Sequence, residues 1–521
     1  MGATFKLTYS TMFDPPPELH SKFEAAVTRV CIGIGAEHAL MVGGRDVRAE
    51  ACFEKFSPVD AGLLLGRFQE AGPADVDAAI AAARGAWPDW AARPWRHRVE
   101  LLRRAAQLVE ERVYEMGAAL AMEVGKNRME ALGEVQETAD LILWYCDQME
   151  ANEGFDRRLP DDPLAGWVSR NRTILKPYGV WAVIAPFNFP VALAGGPAAA
   201  ALVAGNTVVI KAPSAAPWTL RLFAEAMRDA GLPAGVFSYL TGGGGTTGEA
   251  LVGHRDIAGI TFTGSYDAGM SILRRFAGGR WPRPCIAEMG GKNAAIVSRH
   301  ADLDRAATGI VRSAFGLSGQ KCSACSRVIV EAPVAGELME RLVAATRRLQ
   351  VGDPLVRENW MGPVISATSQ RNYLRAVGEL RAAGEVLVGG GLPEGLDAGH
   401  FVAPTFARLP FGHGLWNEEL FLPLAVVGIV GSLDEAIERA NASELGLTAG
   451  FYGGVDETSR FLSRIEAGVA YVNRPHGATT GAWPGYQPFG GWKGSGSTGK
   501  AIGSFYYLPQ YLREQSQTVV D

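Results

Sequence analysis

The chain has 521 residues, is 47% hydrophobic and 20% charged, and carries a formal charge of −5. That length exceeds the roughly 250–300 residues at which one core usually divides, so two large domains are expected. Acids and bases are mixed along the chain, which excludes a basic stripe for nucleic acid or a cationic cluster for anionic lipid.

The first 40 residues read as a helical lead-in. The start, MGATFKLTYSTMF, lacks a basic region followed by an apolar core, so no secretory signal is expected; Lys6 stands where a myristoylation motif wants Ser or Thr. Residues 36–60 alternate short strands with turn residues. Helical segments follow at 72–92, with Pro73 at a helix start, and at 97–126, with apolar residues at helical spacing. From 179 to 210 no residue is charged, but Pro186, Pro190, Pro197, Asn188 and Asn206 interrupt the stretch. A buried strand, loop, helix and strand fits better than a membrane span, which needs about 20 apolar residues with a satisfied backbone.

The alternation continues: strand 180–185, helix 191–204, strand 207–211, helix 218–231, strand 236–240, a Gly242–Gly245 turn, a short helix, strand IAGITFTG, and helix YDAGMSILRRFAGG. Short loops between alternating strands and helices imply a parallel sheet wrapped by helices, with ligands at the carboxyl ends of the strands. A second such series starts near Glu288: AAIVS, a helix at 303–316, RVIVE, and a helix at 334–349, running to about residue 480. The tail YYLPQYLREQSQTVV has strand character and is expected to pair with 169–177 in an exposed hairpin. Such an edge is a common oligomer contact, so a homo-oligomer, dimer or higher, is expected.

Six cysteines, at 31, 52, 146, 285, 322 and 325, are too few for a disulfide framework and fit reduced thiols in a cytoplasmic compartment. Cys322 falls between a predicted helix and a predicted strand, flanked by Gly319 and Lys321, where positive charge favours a nucleophilic thiolate. A redox or metal pair with Cys325, an inert thiol, or a catalytic pair with a histidine stays open at this level. The eight histidines show no HxxxH spacing, so no metal site is expected. Glu288 precedes Gly290-Gly291, where a carboxylate could swing towards a reacting centre; a salt bridge is the alternative. Asn188, just after a buried strand, could donate to an oxyanion, or could simply form a turn between two prolines. Lys211 at a strand end could bind a ribose hydroxyl or phosphate, or be merely solvated. Gly264-Ser265 opens a helix whose N–H groups could hold a phosphate, although the GxGxxG fingerprint is absent.

Taken in order, PFNFP (186–190), the Lys211 strand end, FTGS (262–265), EMGGKN (288–293), GQKCSACSR (319–327), EELF (418–421) and QPFGGWKGSG (487–496) resemble the aldehyde dehydrogenase superfamily over about residues 40–510. The resemblance implies an α/β, aldehyde dehydrogenase-like fold. Its two α/β domains would be a Rossmann-like cofactor domain (41–160 and 181–287) and a catalytic domain (288–490). A β-hairpin oligomerisation flap and tail would take 161–180 and 491–521, after the 1–40 lead-in. It implies that Cys322 attacks the aldehyde, that Asn188 and the Cys322 N–H hold the oxyanion, and that Glu288 activates the water that hydrolyses the thioester. Pro186, Phe187, Lys211, Ser214, Gly244, Gly248, Gly264, Ser265, Glu419 and Phe421 match cofactor-binding positions. NAD is the implied cofactor. Ser214 stands where many members have a glutamate that grips the adenosine ribose, so NADP is a second candidate. FLPL after EEL, where FGPV is usual, is expected to change packing alone.

Within the superfamily, GQKCSACSR, residues 473–491, the long lead-in and the tail are similar to the branch that oxidises L-glutamate γ-semialdehyde, formed from 1-pyrroline-5-carboxylate, in the second step of proline catabolism. That likeness implies substrate-binding roles for the Gly481 and Ala482 N–H groups, for the Ser323 hydroxyl, and for Phe489. Arg474-Pro475-His476 and Trp483-Pro484 depart from the expected pattern. Other readings are a different aldehyde dehydrogenase, with Arg474 as the second cationic anchor for a dicarboxylic semialdehyde, a cysteine hydrolase or acyltransferase that uses no nicotinamide, and a non-catalytic relative. A separate proline dehydrogenase is a candidate partner.

Overall fold

The computed structural model describes residues 6–9, 11–12, 15–475 and 483–521. The expected ligands Gly481 and Ala482, and the departure at His476, lie outside the described residues.

The uncharged stretch folds as expected. Val180–Ile184 and Thr207–Lys211 are fully buried strands, and Ala192–Ala204 is the helix between them. Such uninterrupted apolar strands suit a sheet covered on both faces. Among the described residues no helix is long and apolar enough to cross a membrane. The sheet runs in the order Cys285–Glu288, Ile257–Thr263, Val180–Ile184, Thr207–Lys211, Phe237–Leu240, Leu40–Val42, Arg45–Val47. The first five strands are mutually parallel, and the last two add an antiparallel edge. Strand order reverses between Val180–Ile184 and Ile257–Thr263. The loops leaving those two strands diverge there and open a crevice, which is where ligands bind in such sheets.

The second sheet runs Glu385–Val388, Thr405–Arg408, Leu424–Val430, Cys325–Glu331, Asn293–Val297, Thr448–Tyr452, Val469–Val472, parallel except for its first pair. Only Met289–Lys292 separates the last strand of the first sheet from a central strand of the second. This short link forces the carboxyl edge of one sheet to face the amino edge of the other.

Four features differ from the sequence reading. The tail Leu512–Val520 pairs with Ser169–Pro177 as expected, but Asp156–Leu159 adds a third strand. Residues 491–511, expected with that tail, instead fold back: Gly491 N–H donates to Glu288 and Ser497 N–H to the Ala287 carbonyl. The helical segment at 97–126 is two helices, Trp95–Glu111 and Val113–Val124, broken at Arg112. The lead-in is helical only over Pro17–Cys31, and Ala36–His38 is a strand.

A further helix, Arg128–Ala151, is capped by Asn127, whose side chain accepts from Glu130 N–H at 2.9 Å. It is buried over most of its length yet carries Glu130, Glu134 and Glu137. Glu134 meets Lys126 at 2.5 Å with both side chains wholly inaccessible. Its other oxygen accepts from Val191 N–H at 2.8 Å, at the start of the Ala192–Ala204 helix, and the Lys126 ammonium lies 3.4 Å over the Phe189 ring. The pair therefore holds the PFNFP loop from beneath. Breaking a buried pair leaves one charge uncompensated. We expect Lys126→Met to lower unfolding stability by about 3–5 kcal/mol. Lys126→Met with Glu134→Gln, which removes both charges and keeps the acceptor for Val191, should recover much of that loss in urea titrations; equal losses would contradict the pair.

Candidate active site

The nucleophile loop follows helix Leu303–Phe315. Leu317 (φ 48°), Ser318 (φ 55°) and Gly319 (φ 69°) are consecutive left-handed residues. Two of them are not glycine, a strained arrangement that persists only where its surroundings fix it. Here Leu317 N–H donates to Glu130 at 3.2 Å, Ser318 Oγ to the Gly362 carbonyl at 2.7 Å, and Gln320 Oε1 accepts from Ile365 N–H at 2.8 Å. A side chain at Gly319 would collide with the Leu422 carbonyl. The turn delivers Cys322 to the amino edge of the second sheet, opposite the switch crevice of the first.

Cys322 borders three spaces. The first is a cleft of about 650 Å³ lined by Pro186, Phe187, Asn188, Lys211, Ser214, Gly244, Gly248, Gly264, Ser265, Glu419 and Phe421. The structure thus brings together every expected cofactor residue, together with Asn188. The second is a void of about 20 Å³ shared with Glu288, Thr263, Phe489 and Tyr507. The third is a narrow pocket shared with Ser323, Phe489, Lys321, Glu130, Glu137, Phe189 and Tyr9.

The cleft suits a dinucleotide. Lys211 is buried and, among the described residues, its ammonium donates only to the Ala212 carbonyl, at 3.0 Å. Burial without a facing carboxylate pulls it down to about 8. Such a group gains from a ligand hydroxyl or phosphate. Ser265 caps the helix Tyr266–Ala277, accepting from Ala268 N–H at 3.4 Å, and leaves that helix's first N–H groups at the cleft. Gly244 and Gly245 face open space, so a ligand can approach the backbone there. The Ser214 hydroxyl donates to the Gly242 carbonyl at 3.0 Å. Phe421, itself left-handed (φ 58°), meets Phe187 edge-on at 5.8 Å.

The electrostatics correct one expectation. Lys321 does not lower the Cys322 thiol, because its ammonium pairs with Glu130 at 2.5 Å. Burial instead pushes the thiol up to about 12, with Glu419 and Glu288 adding to the rise. The backbone N–H groups of Cys322 and Ser323 oppose it. Glu288 is raised to about 8 by burial against one hydrogen bond, from Gly491 N–H at 3.0 Å; its Oε1 has no partner among the described residues. Glu419 is raised to about 7 by burial, while accepting from Gly291 N–H at 2.9 Å. The glycines after Glu288 answer to packing: side chains at Gly290 and Gly291 would collide with the Glu419 carboxylate and the Cys322 carbonyl. One amide hydrogen of Asn188 goes to the Gln320 carbonyl at 3.0 Å, and the other remains available.

Cys325 is a separate case. It is buried, starts a strand, and its thiol donates to the Arg327 carbonyl at 3.5 Å. Among the described residues no cluster could hold a metal ion. Arg474, the alternative anion anchor, donates to Gln487 at 3.0 Å and does not line the narrow pocket among the described residues.

Sequence reasoning missed Glu137 and Tyr9. Glu137 is half-buried, is raised to about 8 chiefly by desolvation, and accepts from Tyr9 OH at 2.7 Å. Tyr9 comes from the lead-in and stacks edge-on against Trp483 at 5.3 Å, closing the pocket. The signal was three acids at 130, 134 and 137, spaced to share one face of a helix.

The Aldehyde dehydrogenase family profile matches residues 46–516. The 1-pyrroline-5-carboxylate dehydrogenase of Geobacillus thermodenitrificans is 38% identical over 509 residues, covering 95% of each chain. The structure of a Thermus 1-pyrroline-5-carboxylate dehydrogenase with bound NAD superposes with a TM-score of 0.92 at 34% identity over the full length of both chains. Proline utilization A from Bdellovibrio bacteriovorus gives a TM-score of 0.90 at 33% identity; the match covers 96% of this chain but 51% of that longer one.

A thiol raised this far by desolvation is protonated at neutral pH, and only the thiolate alkylates. In the free protein, iodoacetamide should therefore label Cys322 slowly at pH 7, accelerating about tenfold per pH unit up to pH 10. A plateau near pH 7, by mass spectrometry, would show a thiolate already present.

Proposed function

The chain belongs to the aldehyde dehydrogenase family, and from that premise we propose that it oxidises L-glutamate γ-semialdehyde, formed from 1-pyrroline-5-carboxylate, to L-glutamate with NAD, in the second step of proline catabolism. The observation that carries this reading is the position of Cys322, where the dinucleotide cleft, the Glu288 void and an acid-lined pocket meet.

In this reading the narrow pocket takes the substrate. Ser323 and the Gly481 and Ala482 N–H groups receive the carboxylate, Phe489 packs on the carbon chain, and the Glu137 carboxylate faces the ammonium. The Cys322 sulfur attacks the aldehyde carbon, and its proton is taken up by water in the cleft. The second Asn188 amide hydrogen and the Cys322 N–H hold the oxyanion. NAD, held by Lys211, Ser265, Glu419, Pro186 and Phe187 with Gly244, Gly248, Gly264 and Phe421 at the cleft wall, supplies the hydride acceptor. Glu288 then takes a proton from the water that attacks the thioester, the carbon–sulfur bond breaks, and the thiol is regenerated.

The first sheet with its helices is the cofactor-binding domain, the second the catalytic domain. Ser214 places no carboxylate where a 2′-phosphate would lie, so NADP also serves. Exposed Leu164, Trp167, Val168, Val519 and Val520 on the three-stranded flap form an apolar surface that fits a second copy of the chain. Six unpaired thiols fit a reducing, cytoplasmic setting, where a separate proline dehydrogenase would supply the substrate.

Steady-state reduction of NAD, and separately of NADP, tests this with pyrroline-5-carboxylate against simple and dicarboxylic semialdehydes. A preference in kcat/KM of at least about tenfold for pyrroline-5-carboxylate is expected, and Cys322→Ala should abolish turnover while NAD still binds. Turnover only with other aldehydes would keep the Cys322 chemistry and discard the substrate. Glu288→Gln should release reduced NAD in a burst equal to the enzyme present and then stall; equal slowing of both phases would assign Glu288 elsewhere.

A further inference from the structure

The void between Cys322 and Glu288 measures about 20 Å³. That is room for a single water, which requires about 10–15 Å³ and two to four polar partners. Glu288 supplies one through Oε1, which has no partner among the described residues. A second comes from a wall that the mechanism has not used. Tyr507 lines the void, and its hydroxyl ends a buried chain. Trp181 Nε1 donates to Thr261 Oγ1 at 2.9 Å, Thr261 Oγ1 lies 3.0 Å from Tyr511 OH, and Tyr511 OH donates to Tyr507 OH at 3.0 Å.

Either hydroxyl could donate between Thr261 and Tyr511, and the far end of the chain favours one direction. An indole N–H only donates, so the Thr261 oxygen accepts. Its own hydrogen then goes to Tyr511, the Tyr511 hydrogen goes to Tyr507, and the Tyr507 hydrogen is left over. The reverse direction would strand the Thr261 hydrogen in a buried site, at the cost of an unmade hydrogen bond. The leftover hydrogen belongs to a side chain on the wall of the void that Glu288 also lines.

We propose that Tyr507 is a positioning residue for thioester hydrolysis: it donates a hydrogen bond to the water between Cys322 and Glu288, and so aims that water at the acyl carbon. This rests on the thioester reading above. The water's oxygen bonds to the acyl carbon, its proton goes to Glu288, and the carbon–sulfur bond breaks to release the Cys322 sulfur. Tyr507 transfers no proton. The chain ends at an indole that cannot pass one on, and burial raises both tyrosines far enough to keep them protonated. Each link polarises the next, so the donor at the void is stronger than an isolated phenol.

The proposal separates the two half-reactions. Attack and hydride transfer need no water, so they should not depend on Tyr507. Rapid-quench kinetics with NAD and pyrroline-5-carboxylate read both steps: the burst of reduced NAD, and the decay of the acyl adduct on Cys322 by intact mass. Tyr507→Phe, which keeps the ring, should retain the burst rate within about twofold and slow adduct decay about tenfold, the effect of one lost hydrogen bond. Tyr511→Phe keeps the Tyr507 hydroxyl and removes its donor, so it should slow the same step less. Adduct decay at the wild-type rate in Tyr507→Phe, or equal slowing of both steps, would overturn the proposal. If Tyr507→Phe fails to fold, Tyr511→Phe decides on the same two readouts: selective slowing of decay supports the proposal, and unchanged decay or equal slowing overturns it. A wild-type enzyme that forms no adduct on Cys322 would overturn the thioester reading itself, and this inference with it.

Discussion

The side-chain amide of Asn293 ties the two halves of the site together. Its Nδ2 donates to the Cys322 carbonyl at 2.7 Å and to the Ala324 carbonyl at 2.9 Å, and its Oδ1 accepts from Thr448 N–H at 2.9 Å. Asn293 starts a central strand of the second sheet, and Glu288 ends the edge strand of the first. Thus one buried amide fixes the nucleophile loop to the segment that carries the carboxylate. Gly290 and Gly291 between them have no Cβ because Glu419 and the Cys322 backbone occupy that space. The EMGGKN motif is in this sense a hinge of fixed length between two sheets, and its glycines serve close approach rather than motion.

Burial then sets the chemistry. Cys322, Glu288, Glu419 and Lys211 are all displaced towards their neutral forms, each chiefly by desolvation. A site in that condition holds few free charges until a ligand enters, and dipoles aimed into it act in a low dielectric. The charges that are retained lie beneath the site. Lys126 pairs with Glu134 under the PFNFP loop, and Lys321 pairs with Glu130 under the nucleophile turn. Helix Arg128–Ala151 supplies both acids, and a turn further on it supplies Glu137 to the substrate pocket. One helix thereby supports the PFNFP loop, the Cys322 turn and the wall of the narrow pocket together.

Much of this was legible in the chain. The strand and helix alternation after residue 178 follows from runs of buried β-branched residues broken by Gly and Pro, and the parallel order follows from the short connections. The pairing of 169–177 with the tail was legible because both segments have strand character and neither has a place in the core. The motif residues 188, 211, 265, 288, 322, 419 and 421 were legible by type and order. Less visible were the break at Arg112, which follows no proline or glycine, and the return of 491–511 over Glu288, which no local pattern encodes.

By itself, then, the sequence determined the two-sheet architecture, the family and the candidates for the reacting residues, because periodicity and motif order are local properties that survive without coordinates. The tertiary structure alone decided how those residues are tuned. Lys321 is local to Cys322 in the chain, yet its charge is taken up by Glu130, 191 residues away. Tyr9, in the wall of the narrow pocket, packs against Trp483 from the opposite end of the chain. The void beside Glu288 is walled by Tyr507, whose hydroxyl is linked through Tyr511 and Thr261 to Trp181. Desolvation and hydrogen-bond direction are set by what packs against a group, and that is fixed only when distant segments meet.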